Sequence, residues 1–258
     1  MNILVTGASS GIGAATARLL ASHGHTVGLV GRRADRLHAV LQDCLPGAPR
    51  SRAWVADLGD LALAETIADE AEEFLGGVDV LINNAAIPKR LPVPELAAEV
   101  VEQVMRVNFF SPVRMTLRLL PSMLARGSGT IVNVASMGGR VGIPQEAAYC
   151  ASKFALTGWS EAMAIDLHGT GVAVRLIQPG PIATDIWDRP GERPPLIEVP
   201  KEPPELVANG ILAALAADNF EHYVPDLKGV VDFKQSDIDG YIAMNATMAA
   251  QARTEAEG

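Results

Sequence analysis

The stretch MNILVTGASSGIG, residues 1–13, decides the fold. Ile3 to Thr6 is a short apolar run, and glycines follow at positions 7, 11 and 13. Beyond them Ala14, Ala17 and Leu20, with Ile12 ahead, recur at helical spacing. A strand that passes through a glycine turn into a helix opens a βαβ unit.

Outward from this opening the pattern alternates. Val27 to Val30 reads as a second strand, Trp54 to Ala56 as a third and Val78 to Ile82 as a fourth. Thr130 to Val134 and Val172 to Ile177 give a fifth and a sixth. Between them lie amphipathic helices. Leu37, Val40, Leu41 and Cys44 fall at i, i+3, i+4 and i+7, and Leu61, Ala64, Ala68, Ala71 and Leu75 form another stripe. Short buried-type strands alternating with helices predict an α/β fold: a single Rossmann-type, doubly wound parallel sheet with helices on both faces. We expect one domain over 1–258. Residues 1–135 form mainly the cofactor half, 136–235 the catalytic and substrate half, and 236–258 a C-terminal segment.

Two helices exceed the usual one-stripe pattern. Segment 112–125 carries Val113, Leu117, Leu120 and Leu124, widened by Met115, Thr116, Leu119 and Met123. Segment 149–167 carries Ala151, Ala155, Trp159 and Met163 beside Leu156, Ala162 and Ile165. Helices apolar nearly all round need cover on two sides. One side is the sheet. The expected second cover is another subunit, in a homodimer or homotetramer; the alternative is the chain's own C-terminal segment. Residues 188–205, with six prolines, read as a loop followed by a helix at 206–217. Ser236 to Gln251 is expected to be helical, on the spacing of Ile238, Tyr241, Ile242 and Met248.

Composition narrows the function classes. Of 258 residues 48% are hydrophobic and 20% charged, enough to bury a large core. The net charge of −9, without a basic stripe, disfavours nucleic acid and anionic membranes as partners. No run approaches the about 20 apolar residues of a membrane span. The opening MNILVTG has no basic region or cleavage site of a signal peptide, so the expected location is cytoplasmic. Cys44 and Cys150 are too few for a disulfide framework or a metal cluster, and no metal is expected. Cys150 is a candidate oxidation-sensitive thiol because of its neighbour, Tyr149.

Three motifs carry chemistry. Gly7, Gly11 and Gly13 permit a tight turn that lets the backbone approach a pyrophosphate at a helix N-terminus. After the second strand the chain reads LVGRRADRL. Gly31 stands near the place of the acid that binds the ribose hydroxyls of NAD, and Arg32 and Arg33 follow, which suits the 2′-phosphate of NADP(H). Arg32 is expected to be the main discriminator. Tyr149 and Lys153 share a helix face at i and i+4. A lysine ammonium there is expected to lower the tyrosine pKa. Ser136 lies at the end of the fifth strand, where open α/β sheets bind ligands.

With TGASSGIG, Asp57-Leu58, Asn83-Asn84-Ala85-Ala86, Asn108, Ser136, Tyr149/Lys153 and Pro179-Gly180-Pro-Ile-Ala-Thr184 in this order, the chain resembles the short-chain dehydrogenase/reductase family over residues 1 to about 185. The resemblance implies that Ser9, Ser10 and Ile12 line the pyrophosphate and that Asp57 and Leu58 meet adenine. It places Asn84 and Ala85 at the adenosine ribose side. Tyr149 and Lys153 would hold the nicotinamide ribose, and the turn that opens at Pro179 and Gly180 would bring Ile182 and Thr184 to the nicotinamide end. In the implied mechanism Tyr149 is the general acid or base and Ser136 hydrogen-bonds the reacting oxygen. Lys153 tunes Tyr149, and Asn108 holds a water that links Lys153 to solvent.

The activity so implied is NADP(H)-dependent interconversion of a carbonyl and a secondary alcohol, with Met137, Ile143, Pro144 and Trp187 as candidate walls for a mostly apolar small-molecule substrate. The rival from another class is a catalytically silent NADPH-binding sensor or scaffold. The complete Asn108, Ser136, Tyr149, Lys153 set argues against it. Epimerases, dehydratases and enoyl reductases usually alter the Tyr/Lys spacing or the serine, and neither is altered here. One departure is Ala86, where the family has glycine. Beyond Thr184 no motif is assignable.

Overall fold

The computed structural model describes residues 1–188 and 191–257, with side chains up to Thr254. β1 (Asn2–Thr6) passes through the glycine turn into α1 (Gly11–Ser22), followed by β2 (Thr26–Gly31), α2 (Ala34–Cys44), β3 (Arg52–Val55), α3 (Leu61–Leu75) and β4 (Val80–Asn83). Then come α4 (Ala98–Met105), a π-turn over Arg106–Phe110, α5 (Ser111–Arg126) and β5 (Gly129–Val134). The chain continues with α6 (Ala147–Asp166), β6 (Val172–Pro179), α7 (Pro204–Ala216), β7 (Glu221–Val224), α8 (Lys228–Ser236) and α9 (Ile238–Glu257).

The seven strands form one parallel sheet in the order β3-β2-β1-β4-β5-β6-β7. At the centre Val5 pairs with Leu29 on one side and Ile82 on the other. Side chains of alternate residues pack on opposite faces, so both faces carry apolar layers. Ile3, Val5 and Leu29 pack with Leu20, Leu37 and Ile211 of α1, α2 and α7. Leu4, Leu81 and Ile131 pack with Ile67, Leu119 and Met163 of α3, α5 and α6. Among the described residues no helix is long and apolar enough to cross a membrane.

Local chemistry sets the boundaries. Asp60 caps α3, its carboxylate accepting from the N–H groups of Ala62 (3.0 Å) and Leu63 (3.1 Å), and Gly76 ends that helix at φ 71°. The fourth strand starts at Val80 rather than Val78. Val78 N–H donates to Glu72 Oε2 (2.7 Å) rather than to a neighbouring strand, and the Asp79 carboxylate takes Asn2 N–H (2.7 Å). The proline-rich loop gives way at Pro204, which opens α7 where a missing N–H is harmless. Residues 189–190 of that loop lie outside the described residues.

The chain itself supplies much of the cover that the two apolar helices need. α3 packs on α5 and α4 packs on α6. Phe110, Leu117, Leu124, Phe154 and Ile165 stay exposed. The C-terminal segment covers a different place: Tyr241, with Val231 of α8, packs against Met137 and Val141 at the strand ends.

Candidate active site

Strand order reverses between β1 and β4, and a crevice opens there at the C-terminal ends of the strands, where open α/β sheets bind ligands. Thr6 closes its floor. The Thr6 hydroxyl accepts from the N–H groups of Asn84 (2.9 Å) and Ala85 (3.0 Å) and donates to Ile82 O (3.2 Å). Asn84 Nδ2 donates back to Thr6 O at 2.9 Å. Above this floor lies a cavity of about 1240 Å³. Of the catalytic and cofactor-binding candidates named from sequence, all but Gly13 and Asn108 line it, including Asn84, Ala85, Pro179, Gly180, Ile182 and Thr184.

On one side the turn and α1 fit a nucleotide diphosphate. Gly7 has φ 68°, which favours glycine, and a Cβ on Gly13 would run into the Gly7 carbonyl oxygen. Ser10 is the N-cap residue of α1 without a side-chain cap, and the first turn holds no acid. The helix therefore presents unpaired N–H groups and the positive end of its dipole to Gly7, Ser9, Ser10, Gly11 and Ile12 of the cavity wall. Gly13 is a packing residue behind that wall.

The two arginines after β2 face different partners. Arg32 pairs with Asp57, Nη1 to Oδ2 3.5 Å, beside Leu58 at the cavity edge. Arg33 turns towards the glycine turn. Its guanidinium donates to Ser9 Oγ at 3.4 Å and to Ser10 Oγ, and Nη1 pairs with Asp185 Oδ2 at 2.6 Å. Arg36, one helical turn on, binds the same Asp185 oxygen. The Arg33 hydrogen bond holds the Asp185 carboxyl below its ordinary range.

On the other side stand Ser136, Tyr149 and Lys153. Ser136 follows β5, and its hydroxyl accepts from Gly138 N–H at 3.0 Å. Lys153, in the second turn of α6, is 2% exposed and donates to Val134 O at 2.9 Å. Burial pushes its pKa down from 10.5 to about 7. Tyr149 keeps some surface, but that surface faces the cavity rather than bulk water. Burial pushes its phenol well above 10, against a smaller lowering by the Ser136 hydrogen bond. Burial thus acts on the phenol in the direction opposite to that expected of Lys153. The lysine spends a hydrogen bond on Val134 O, lies 5.8 Å from the ring centroid, and is itself poised to lose its charge.

Asn108 sits in the π-turn, fully buried. Its Oδ1 accepts from Ile87 N–H (2.8 Å), and its Nδ2 donates to Ile87 O (3.0 Å) and Ser152 Oγ (3.0 Å). Among the described residues no hydrogen bond joins it to Lys153. These bonds secure the loop after β4 to α6. Cys150 is buried, its thiol pushed up to about 11, so the neighbour of Tyr149 is an unreactive packing residue.

Met137, Ile143, Pro144 and Trp187 all reach the cavity wall, joined by Leu227 ahead of α8 and by Tyr241 and Met248 from the C-terminal segment. Several site residues carry no motif. Gln178 Oε1 accepts from Ser136 N–H (3.1 Å) and its Nε2 donates to Glu221 Oε1 (3.0 Å). Arg90 and Glu146 form a buried pair in the wall. Only Arg36 had a readable signal, its spacing of one turn from Arg32 and Arg33.

The chain belongs to the short-chain dehydrogenase/reductase family: the sequence profile described as short chain dehydrogenase matches residues 1–194. Among curated relatives, D-threitol dehydrogenase of Mycolicibacterium smegmatis is 34% identical over 191 residues, 72% of this chain and 74% of that protein. Ketoacyl reductase HetN of Nostoc sp. is 32% identical over 83% of this chain and 74% of that protein. Other relatives are longer, and the chain spans 58% of the length of one of them. A short-chain dehydrogenase/reductase from Burkholderia phymatum, solved in complex with NAD, superposes with a TM-score of 0.84 at 26% identity, covering 92% of this chain and 94% of that one. The chain is thus an oxidoreductase of the NAD(P)-dependent, hydride-transferring class.

Lys153 ties the site to stability. Its pKa is lowered on folding, so between about 7 and 10.5 the unfolded chain binds more protons than the folded one. Stability from this group therefore rises with pH across that window, by at most about 1.4 kcal/mol per unit. Thermal melts of wild type and Lys153→Met, run in parallel from pH 6.5 to 9.5, should show the wild type gaining on the variant. A constant gap would mean that Lys153 stays charged throughout.

Proposed function

We propose that the protein interconverts a mostly apolar ketone and its secondary alcohol with NADP(H). The observation that carries this reading is the placement of Ser136 and Tyr149 on one cavity wall, with Lys153 buried behind them and the α1 turn at the far end. The α1 turn and the wall of Tyr149 and Lys153 would hold a nicotinamide cofactor, which when bound would supply or accept the hydride. The chain's own residues do the rest. Ser136 holds the substrate oxygen. Tyr149, whose phenol keeps its proton across the neutral range, delivers that proton to the oxygen in reduction. Lys153, poised near neutrality, sits on the same helix face as the proton store behind Tyr149. Met137, Ile143 and Trp187 exclude water around the reacting carbon. By name the two relatives act on a tetritol and on a ketoacyl group, and these apolar walls favour the second kind.

The preference for NADP(H) rests on Arg33 and Arg36 next to the turn, with Arg32 at the edge. An acid in place of Gly31 would crowd Ser9 Cβ and Leu37 Cδ1, each 3.2 Å from its Cβ. A charge-assisted contact contributes about 1.5–3 kcal/mol, and the partial exposure of Arg33 puts this one at the low end. Assembly into a homodimer or homotetramer rests on the exposed Phe110, Leu117, Leu124, Phe154 and Ile165 around α5 and α6.

Tyr149→Phe should lower kcat on a responsive ketone at least about 100-fold with NADPH binding nearly intact. Wild-type turnover by that variant would remove Tyr149 from the proton transfer, and no turnover of any ketone by the wild type would favour the silent nucleotide binder. Titrations should give tighter NADPH than NADH, and Arg32→Ala/Arg33→Ala should weaken NADPH by at least about 10-fold with NADH within about 3-fold. Equal wild-type affinities would reduce the arginines to surface charge. Light scattering at micromolar concentration should give a multiple of 27.2 kDa, and a clean monomer would overturn the assembly.

A further inference from the structure

The segment after β6 closes the substrate side of the cavity, and one side chain reaches it from the opposite wall. Arg90, in the connection between β4 and α4, is 2% exposed. Its Nη1 donates to the carbonyl oxygens of Trp187 (3.3 Å) and Arg193 (2.9 Å), and its Nη2 to Ile186 O (2.9 Å). Its Nε donates to Glu146 Oε1 at 3.2 Å. Four of the five guanidinium N–H groups are engaged in this way. The guanidinium also lies 4.9 Å from the centroid of the Trp187 ring.

Glu146 gives the arrangement its reach. It is the N-cap residue of α6, three residues ahead of Tyr149, and it is buried. Arg90 therefore joins three segments: the loop after β4, the start of the helix that carries Tyr149 and Lys153, and the segment over the cavity. Neighbouring contacts follow the same seam. Leu91 N–H donates to Gln145 O at 2.8 Å, and Lys89 Nζ pairs with Glu192 Oε1 at 3.1 Å.

We propose that Arg90 is a positioning residue that holds Ile186 and Trp187 of the cavity wall, and Arg193 beyond them, against the start of α6. It acts through that segment and does not touch the reacting atoms. Among the described residues, Ile186, Trp187 and Arg193 lie in no helix or strand that would hold their carbonyls. Moving them away would strip a buried guanidinium of three acceptors at once, so they move as a unit and at a high cost. A lysine keeps the charge opposite Glu146 but lacks the planar fork that reaches three carbonyls.

The kinetic arm of the test rests on the reductase reading; the other arms do not. A glutamate-specific protease has sites at Glu192 and Glu198, inside or next to the segment. Arg90→Lys should be cleaved there at least about 10-fold faster than wild type. Trp187 should shift its emission to the red, with far-ultraviolet dichroism unchanged. The ketone KM should rise at least about 10-fold while the NADPH dissociation constant stays within about 3-fold. A purely stabilising role would lower the melting temperature and leave KM and the cleavage rate alone, which overturns the proposal. Glu95→Gln breaks the exposed Arg193–Glu95 pair that spans the same two segments and should change cleavage less than about 3-fold. Equal acceleration by this variant also overturns the proposal. If Arg90→Lys fails to fold, Glu146→Gln, which removes the guanidinium's charged partner, should speed cleavage several-fold, and an unchanged rate there overturns it. Fast cleavage of Arg90→Lys with no ketone turnover by wild type would sink the reductase reading and leave the closure standing.

Discussion

The hydrogen bond from Lys153 Nζ to Val134 O joins α6 to the end of β5. Ser136 leaves β5 two residues later, and Tyr149 stands one turn before Lys153 on the helix. That bond therefore ties the helix that carries the phenol to the strand that delivers the serine. It is also the only hydrogen bond recorded for this ammonium among the described residues, in a place where burial drives the amine towards neutrality. The site thus stores an energetic conflict. The apolar surroundings that sharpen hydrogen bonds to a substrate oxygen are the same surroundings that disfavour the lysine charge.

Beneath this bond a buried polar ladder sets the register of helices on sheet. Asn83 Nδ2 donates to Asn133 Oδ1 (2.9 Å) and Thr116 Oγ1 (3.2 Å), and Asn133 Nδ2 donates to Ser160 Oγ (2.8 Å). Apolar layers alone tolerate small slides of a helix over a strand. A ladder whose groups lose their partners on sliding does not, because each unpaired group costs about 1–3 kcal/mol. Gln178 extends the same logic to Ser136, holding its N–H while bonded to Glu221 on β7. Glu221 in turn meets Arg140 (2.9 Å), so the wall behind the serine is braced from the sheet edge.

The sheet and its central strands were legible because buried strands are short apolar runs between glycine-marked turns, and β1, β2, β5 and β6 follow that rule. β7 was not legible: Glu221-His-Tyr-Val is brief, polar and three-quarters half-buried, so nothing in it alternates. α4 and α8 were hidden for a similar reason, with one buried side chain each, Val104 and Val231. The chemistry of Ser136, Tyr149 and Lys153 was visible through spacing, since i and i+4 on a helix is local geometry. The direction of the Tyr149 shift was not, because desolvation depends on what the rest of the chain places around the ring. Arg32 and Arg33 were visible as a pair, yet which of them turns inward depends on Asp57 and Asp185, 25 and 152 positions from their partners.

Arg90 grips the segment over the cavity by carbonyl oxygens, which every residue type carries. Among the described residues its guanidinium touches no side chain of that segment apart from the stacked Trp187 ring. The segment's sequence can drift, and with it the shape presented to a substrate, without loosening the hold, provided the backbone follows the same path. Proteins of this build can therefore diversify in what they accept while leaving the proton-handling residues untouched, because recognition and closure are written in different parts of the same residues.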